Sequence, residues 1–377
     1  METFRFLHVG DVHLSDRYQA ELDPVLDAIR NAASRLRNDL DLIVFTGDLF
    51  HKPVMTGSYA ARRFCEFFFD LNGFGVPIVV VRGTPSHDGI GGLEFLKPFA
   101  IVVDSEPEKQ MYWDMLPTSG KAKSFVPHYH RESGVFFLER DKVKVAFLAS
   151  MPRHRQEDVK ARVLDCFRHV ATPNLFFTHA MVSSAKTEHG VPTDLFDVEW
   201  TLGELVDLGV PVIGLGHVHK PQVLSAEPLI YYAGSVGRLH IGEAGDKFIV
   251  HGLSPDGKTT LLEQIPMPAS RTFSVKLDRY EDIFQAIENM TARDALLINN
   301  YRNLDLSPIY GELERRFGYQ FLRNVRVEYP EEKRQTHVVE RWRRASVEDL
   351  VVEHVVNENK NADVQYVRSR FREIASA

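Results

Sequence analysis

Five short apolar runs each lead into a loop carrying Asp or His, and this repeat limits the possible folds more than any other feature. Residues 4–9 run into Gly10-Asp11-Val12-His13. Residues 41–46 run into Gly47-Asp48-Leu49-Phe50-His51, and residues 77–81 into Arg82-Gly83-Thr84-Pro85-Ser86-His87-Asp88. Residues 174–178 end at His179, and residues 211–215 lead into Gly216-His217-Val218-His219. The runs are short, β-branched or aromatic, and bounded by Gly, Pro or Asp, as buried strands are. A sixth run covers 143–149. Between them lie helical stretches: Leu26, Ile29, Ala33 and Leu36 share one helix face, and others cover about 57–71 and 157–170. This alternation predicts an α/β fold. Residues 229–252 read as strand and turn without a helix, so part of the sheet is expected to be antiparallel.

In α/β sheets the carboxyl ends of the strands gather at one edge, where ligands bind. Two Asp and at least four His, far apart in sequence, therefore converge. Carboxylate with imidazole suits Mn²⁺, Fe²⁺ or Zn²⁺ better than Mg²⁺ or Ca²⁺. A carboxylate can bridge two ions, and such a pair activates water for in-line attack on phosphorus. Asp-x-His and His-x-His place both side chains on one side of an extended strand. Each motif alone is common. Five in this order, each behind an apolar run, are not a set of unrelated surface histidines.

The remaining chain reads as two further parts. After Pro266 and Pro268 come a half-buried strand (272–277), a helix (280–290), a strand (295–299), a helix (307–316) and a strand (322–329), a small α+β domain. A polar linker begins at Pro330. Ser346 with Asp349 makes a capping box, ahead of apolar stripes at Val347, Leu350, Val351 and Val355, then Val364, Val367, Phe371 and Ile374. These stripes need a covering surface, from this chain or a partner. The expected domains are 1–265, 266–335 and 336–377. His128 and His130 fall between the motifs and are expected on a surface loop. The Met151–Arg155 stretch could touch a phosphate backbone or stay solvated. The same choice applies to Arg341-Trp342-Arg343-Arg344, with DNA or a partner as its contact.

Net charge is −7, so nucleic-acid binding would need a local basic surface, metal ions or a partner. Cys65 and Cys166 make no disulfide framework, which suggests a reducing compartment. The N-terminus has no signal-peptide pattern and no apolar stretch is long enough to span a bilayer. A cytoplasmic protein without a membrane association is the expectation.

The order Asp-x-His, Gly-Asp, Gly-x-His-Asp, His, Gly-His-x-His resembles that of the calcineurin-like metallophosphoesterases. Within them the chain looks most like the SbcD-type nuclease subunit of DNA double-strand-break-repair complexes, phage versions included. Three features narrow the resemblance. His51 stands three residues after Asp48. Tyr232-Ala233-Gly234-Ser235-Val236-Gly237-Arg238 followed by Gly242-Glu243 resembles a "Tyr-x-Gly-Ser-x-x-Arg … Gly-Glu" stretch. A small α+β domain and a helical tail follow. The resemblance implies a four-layer α/β/β/α sandwich with an α+β capping domain and a helical tail. It implies two divalent ions, Mn²⁺ in this family. Asp11, His13, Asp48 and His219 would hold the first ion, and Asp48, His179 and His217 the second. His87 would act on the scissile phosphate, oriented by Asp88, and His51 would help position that phosphate. It further implies DNA exonuclease and endonuclease activity, commonly 3′ to 5′. The protein would be a homodimer bound through its tail helices to a coiled-coil ATPase, in the cytoplasm or, for a virus, the host cytoplasm. A phosphomonoesterase or phosphoprotein phosphatase on the same scaffold is an alternative, favoured by Arg82 before Gly83. A non-catalytic scaffold subunit is another.

The loop Gly83-Thr84-Pro85-Ser86-His87-Asp88 departs from the family, which has an Asn ligand before the His. Because every other ligand position is filled, a replaced ligand is expected rather than a lost metal. Ser86, directly before His87, is the first candidate and Thr84 the second, with a water or a backbone carbonyl third. A hydroxyl is a poorer ligand than an amide oxygen, so the second ion is expected to bind more weakly.

Overall fold

The computed structural model describes residues 3–16, 19–55, 57–104, 124–151, 153–187, 199–240, 243, 245–254, 260–329 and 368. The chain divides into two compact units. Met1–Phe273 with Met290–Ala295 forms the first, and Ser274–Asn289 with Leu296–Ala377 the second.

The first unit begins β1 (Phe4–Val9), α1 (Gln19–Leu36), β2 (Leu42–Thr46), α2 (Tyr59–Asn72), β3 (Ile78–Val81) and β4 (Ile101–Val103). It continues β5 (Val126–His130), β6 (Val135–Arg140), β7 (Val143–Leu148), α3 (Gln156–His169), β8 (Leu175–His179), α4 (Leu202–Asp207) and β9 (Val212–Gly216). It ends β10 (Gln222–Ala226), β11 (Leu229–Tyr232), β12 (Phe248–Ser254) and β13 (Leu261–Pro266). One six-stranded sheet has the order β13-β12-β1-β2-β3-β4, and a seven-stranded sheet the order β10-β11-β9-β8-β7-β6-β5. β1, β2 and β3 run parallel, as do β7, β8 and β9, while β12 joins β1 antiparallel.

Alternation along each strand divides the apolar residues among three cores. Phe4 and Phe6 of β1 face Phe136, Phe147 and Phe177 in a layer between the sheets. Leu7 and Val9 turn the other way, onto Leu26 and Ile29 of α1 and Phe64 and Phe68 of α2. Phe176 of β8 and Ile213 of β9 pack on Val163 and Phe167 of α3. The result is an α/β/β/α sandwich. Phe6 and Phe177 meet edge to face at 5.3 Å across the inter-sheet layer, a contact contributing ~1 kcal/mol beyond area burial.

Residues 126–130 are not a surface loop. Val126–His130 is β5, the edge strand of its sheet among the described residues, paired with β6. Pro127 and an exposed Val126 obscure the pattern, and both suit an edge, where one side of the ladder needs no N–H.

In the second part of the chain, β14 (Thr272–Lys276), β15 (Ala295–Asn299) and β16 (Val325–Glu328) form a three-stranded sheet accompanied by α5 (Tyr280–Glu288) and α6 (Ser307–Phe317). Leu277, Ile283, Ile287, Leu296, Ile298, Ile309 and Leu313 are buried there. β16 begins at Val325 because residues 319–324 form a 3₁₀ turn. The linker from Pro330, the Arg341–Arg344 patch and the tail stripes lie outside the described residues.

Candidate metal centre

The ends of β1, β2, β3, β8 and β9 meet at one edge of the first unit. The two sheets approach there backbone to backbone, and glycine makes that possible. A Cβ on Gly216 would stand 2.0 Å from the Thr46 carbonyl oxygen, and one on Gly10 2.0 Å from that of Gly234; within the first sheet, one on Gly83 would stand 2.1 Å from the Asp48 nitrogen. His13, Asp48 and His217 have φ of +53°, +46° and +99°. Side chains other than glycine rarely adopt this region, and holding them there costs of order 1–3 kcal/mol each. Strain at three converging His and Asp residues is the pattern of a functional site.

Two trios of ligand atoms share Asp48. Asp11, His13 and Asp48 form one, and Asp48, His179 and His217 the other, with the atoms of each trio within 4.8 Å of one another. The Asp48 Oδ2 atom lies 3.4 Å from His179 Nε2 and 3.8 Å from His13 Nε2. His219 joins the first trio, its Nε2 being 3.1 Å from that of His13. His179 Nε2 is 3.0 Å from His217 Nδ1. Asp11 Oδ1 accepts the His217 backbone N–H at 2.8 Å, whereas Asp11 Oδ2 and His13 Nδ1 are buried with no hydrogen-bond partner among the described residues. Facing ring nitrogens need a proton or a cation between them, and a buried carboxylate oxygen needs a partner. The set fits divalent metal.

Neighbours fix which nitrogen each imidazole presents. His179 donates Nδ1–H to the Thr46 carbonyl at 2.7 Å, which leaves Nε2 for the cluster. His219 donates Nδ1–H to Glu243 Oε1 at 2.9 Å. Glu243 is itself buried, its Oε2 accepting from Lys247 Nζ at 2.8 Å and from the Leu239 amide at 3.3 Å. Lys247 also donates to Ser235 Oγ, and Arg238 Nε to the Glu243 carbonyl. The Tyr-Ala-Gly-Ser stretch and Glu243 thus build the support behind His219, a role that spacing alone could not reveal.

Burial drives the His13 imidazole well below its ordinary pKa and His217 down to about 3, the latter also through His179. Both are then neutral, the ligating form. Burial opposes charge on His179 too, but Asp48, Asp11 and the Thr46 carbonyl outweigh it and raise His179 to about 10. Burial likewise opposes ionisation of Asp48, yet the imidazoles around it hold its carboxyl well below the usual range. A metal ion competes with the His179 proton for the same electrons.

His87 donates Nδ1–H to the His51 carbonyl at 2.6 Å, and its Nε2 faces Asp48 Oδ2 at 3.9 Å. Ligand atoms of His13, His51 and His87 also lie within 4.8 Å of one another. The Asp88 carboxylate takes its hydrogen bonds from backbone amides rather than from the His87 ring. It accepts the Gly83 N–H at 2.8 Å and the Phe50 N–H at 3.2 Å, so it ties the β2 and β3 loops together. Ser86 is exposed, its hydroxyl 3.4 Å from that of Thr84, and it stays outside the cluster. Thr84 donates both its N–H (2.7 Å) and its hydroxyl (2.9 Å) to Asp48 Oδ1. The guanidinium of Arg82 is fully buried against Asp104 and the carbonyls of Gly83 and Ser150, so it is not presented to a substrate phosphate.

Glu199 carries a buried carboxylate that sequence reading passed over. Burial pushes it up to about 7, against the opposing pull of His179, and among the described residues Oε2 has no hydrogen-bond partner. No Gly, Asp or His motif marks it, because it lies away from the strand ends.

A double sheet flanked by helices, with Asp and His gathered at one strand edge, defines a metal-dependent hydrolase. The chain belongs to the calcineurin-like phosphoesterase family, whose model matches residues 4–221. It is 25% identical over 271 residues to the Bacillus subtilis metallophosphoesterase YhaO, covering 67% of this chain and 58% of that protein. The chain thus spans less than two thirds of that relative. It is 24% identical over 318 residues to the SbcD component of the Escherichia coli K12 nuclease SbcCD, covering 74% of this chain and 75% of that one. A dimetal phosphatase of Danio rerio covers 70% of this chain and 96% of its own at 11% identity, with a TM-score of 0.39, too low to argue from.

Proposed function

We propose that this chain is a Mn²⁺-dependent DNA phosphodiesterase, the nuclease subunit of an ATPase–nuclease complex that processes DNA ends. The observation that carries the reading is the pair of ligand trios joined through Asp48, with His87 beside them. Asp11, His13, Asp48 and His219 would hold one ion, and Asp48, His179 and His217 the other. Bound divalent ions supply a nucleophilic water at neutral pH and neutralise phosphate oxygens. Mixed carboxylate and imidazole donors suit Mn²⁺.

The chain's own residues do the rest. His87 is anchored through Nδ1, so Nε2 is the atom that meets a phosphate oxygen or gives a proton to the leaving oxygen. Asp88 fixes the two loops on which Asp48, His51 and His87 stand. Glu243 and the Thr46 carbonyl orient His219 and His179. The likeness to the Escherichia coli nuclease component supports a nuclease subunit, and the motif resemblance extends this to DNA as substrate and a coiled-coil ATPase as partner, reached through the tail. The burial of Arg82 removes the feature that favoured a protein phosphatase.

The test is incubation with Mn²⁺ and either end-labelled duplex DNA or a chromogenic phosphomonoester, with Asp48→Ala as control. DNA cleavage lost in the variant is expected. Turnover of the monoester alone would sink the nuclease reading.

A further inference from the structure

The loop between β3 and β4 lacks the amide ligand that the family resemblance implies, and its geometry says what stands there instead. Asp48 Oδ1 receives two hydrogen bonds from one residue, the Thr84 amide at 2.7 Å and the Thr84 hydroxyl at 2.9 Å. Asp48 Oδ2 faces His179, His13 and His87. The carboxylate is divided, one oxygen held by the loop and the other turned to the cluster. Gly83 lets the Thr84 amide come this close, since a Cβ there would stand 2.2 Å from Asp48 Oδ1. The Thr84 carbonyl accepts the N–H groups of both His87 and Asp88 at 3.0 Å. Every polar group of Thr84 thus has a partner within the protein. Among the described residues no fourth Asp, Glu, His or Cys joins the trio of Asp48, His179 and His217.

We propose that Thr84 clamps the bridging carboxylate of Asp48 rather than binding metal, and that the second ion has three protein ligands, Asp48, His179 and His217. The proposal rests on the two-metal reading above. Fewer protein ligands leave more of that ion's coordination to water or substrate. Its affinity is then the lower of the two. Thr84 is a positioning residue whose loss acts through Asp48, and so on both ions at once.

The experiment is Mn²⁺ titration of the full-length protein, followed by calorimetry and by electron paramagnetic resonance of the free and bound ion. The wild type is expected to show one tight and one weaker site. Thr84→Ser, which keeps the hydroxyl, is expected to match it. Thr84→Val, with Thr84→Ala as a smaller replacement, is expected to weaken both sites by about 10- to 100-fold, the usual effect of removing a group that orients a ligand. Weakening of the second site alone would make Thr84 a ligand and overturn the proposal. Two equally tight sites in the wild type would overturn it as well. Asp48→Ala tests the underlying reading separately: if both sites survive it, the two-metal assignment itself fails.

Discussion

The substitution Glu243→Gln keeps the shape of a buried side chain and removes its charge. Burial alone would raise the Glu243 carboxyl, but His219 and Lys247 hold it down to about 2. Against an ordinary 4.5 this is about 3 kcal/mol at 1.36 kcal/mol per unit. A depressed carboxyl stabilises the fold above its unfolded pKa, and that contribution fades as pH falls from about 4.5 toward 2. At neutral pH the variant also deprives the Lys247 ammonium, whose side chain is 0% exposed, of its carboxylate counter-ion, leaving it the Ser235 hydroxyl. Breaking a buried pair costs ~3–5 kcal/mol, or roughly 10 °C in Tm for a domain of this size. Urea denaturation of the metal-free protein should show a deficit that widens as pH falls through the titration of His219, which Glu243 raises, and narrows again below 4.5. Glu243→Gln with Lys247→Met removes the Lys247 cation, so most of the stability should return. Mn²⁺ affinity should stay ~10- to 100-fold low, because His219 still lacks its carboxylate. A single variant within ~0.5 kcal/mol of wild type, as for a surface change, would refute the reasoning. So would a double variant that recovers stability and affinity together.

Two further outcomes are expected. His87→Gln should retain two Mn²⁺ ions by titration while DNA cleavage falls by ~10²- to 10⁴-fold, the range of a lost acid–base group; loss of an ion would instead place His87 among the ligands. Glu199→Gln should stabilise the metal-free protein at pH 8 and not at pH 4.5. The native carboxyl, raised to about 7, keeps a proton that the unfolded chain releases from 4.5 upward, so stability drains across that window by about 3 kcal/mol. Equal urea midpoints at pH 8 would contradict this.

The α/β alternation was legible because the buried strands are short runs apolar on both faces, whereas the four-layer sandwich came only with the family resemblance. Val44 faces the inter-sheet layer and Phe45 the helices, and such runs stand out even from a single sequence. The converging Asp and His residues were legible because they stand at or just after strand ends. β5 was not, since an edge strand with a proline and half-exposed histidines has no apolar signature. Contacts that join distant segments were also out of reach. The amides that Asp88 binds, the carbonyl that holds His87, and the Glu243 carboxylate behind His219 are matters of tertiary approach. Thr84 shows the same limit in sharper form: its hydroxyl was foreseen near the metals, but the direction in which it donates depends on a backbone meeting that no spacing encodes.

The antiparallel pairing of β12 with β1 sets an order of events during synthesis. β1 lies between β2 and β12, so it lacks one neighbour until the ribosome has passed Ser254. His13 and His219 are separated by 206 positions, and closing so long a loop precedes any reward from the contact. An ion that meets the nascent chain finds Asp11, His13 and Asp48 first, a half-built pocket without its final imidazoles or the carboxylate of Glu243. On the proposed two-metal reading, metal capture would be a late step, bound to completion of the first sheet, and a chain truncated before β12 would carry every proposed ligand and still lack a finished centre.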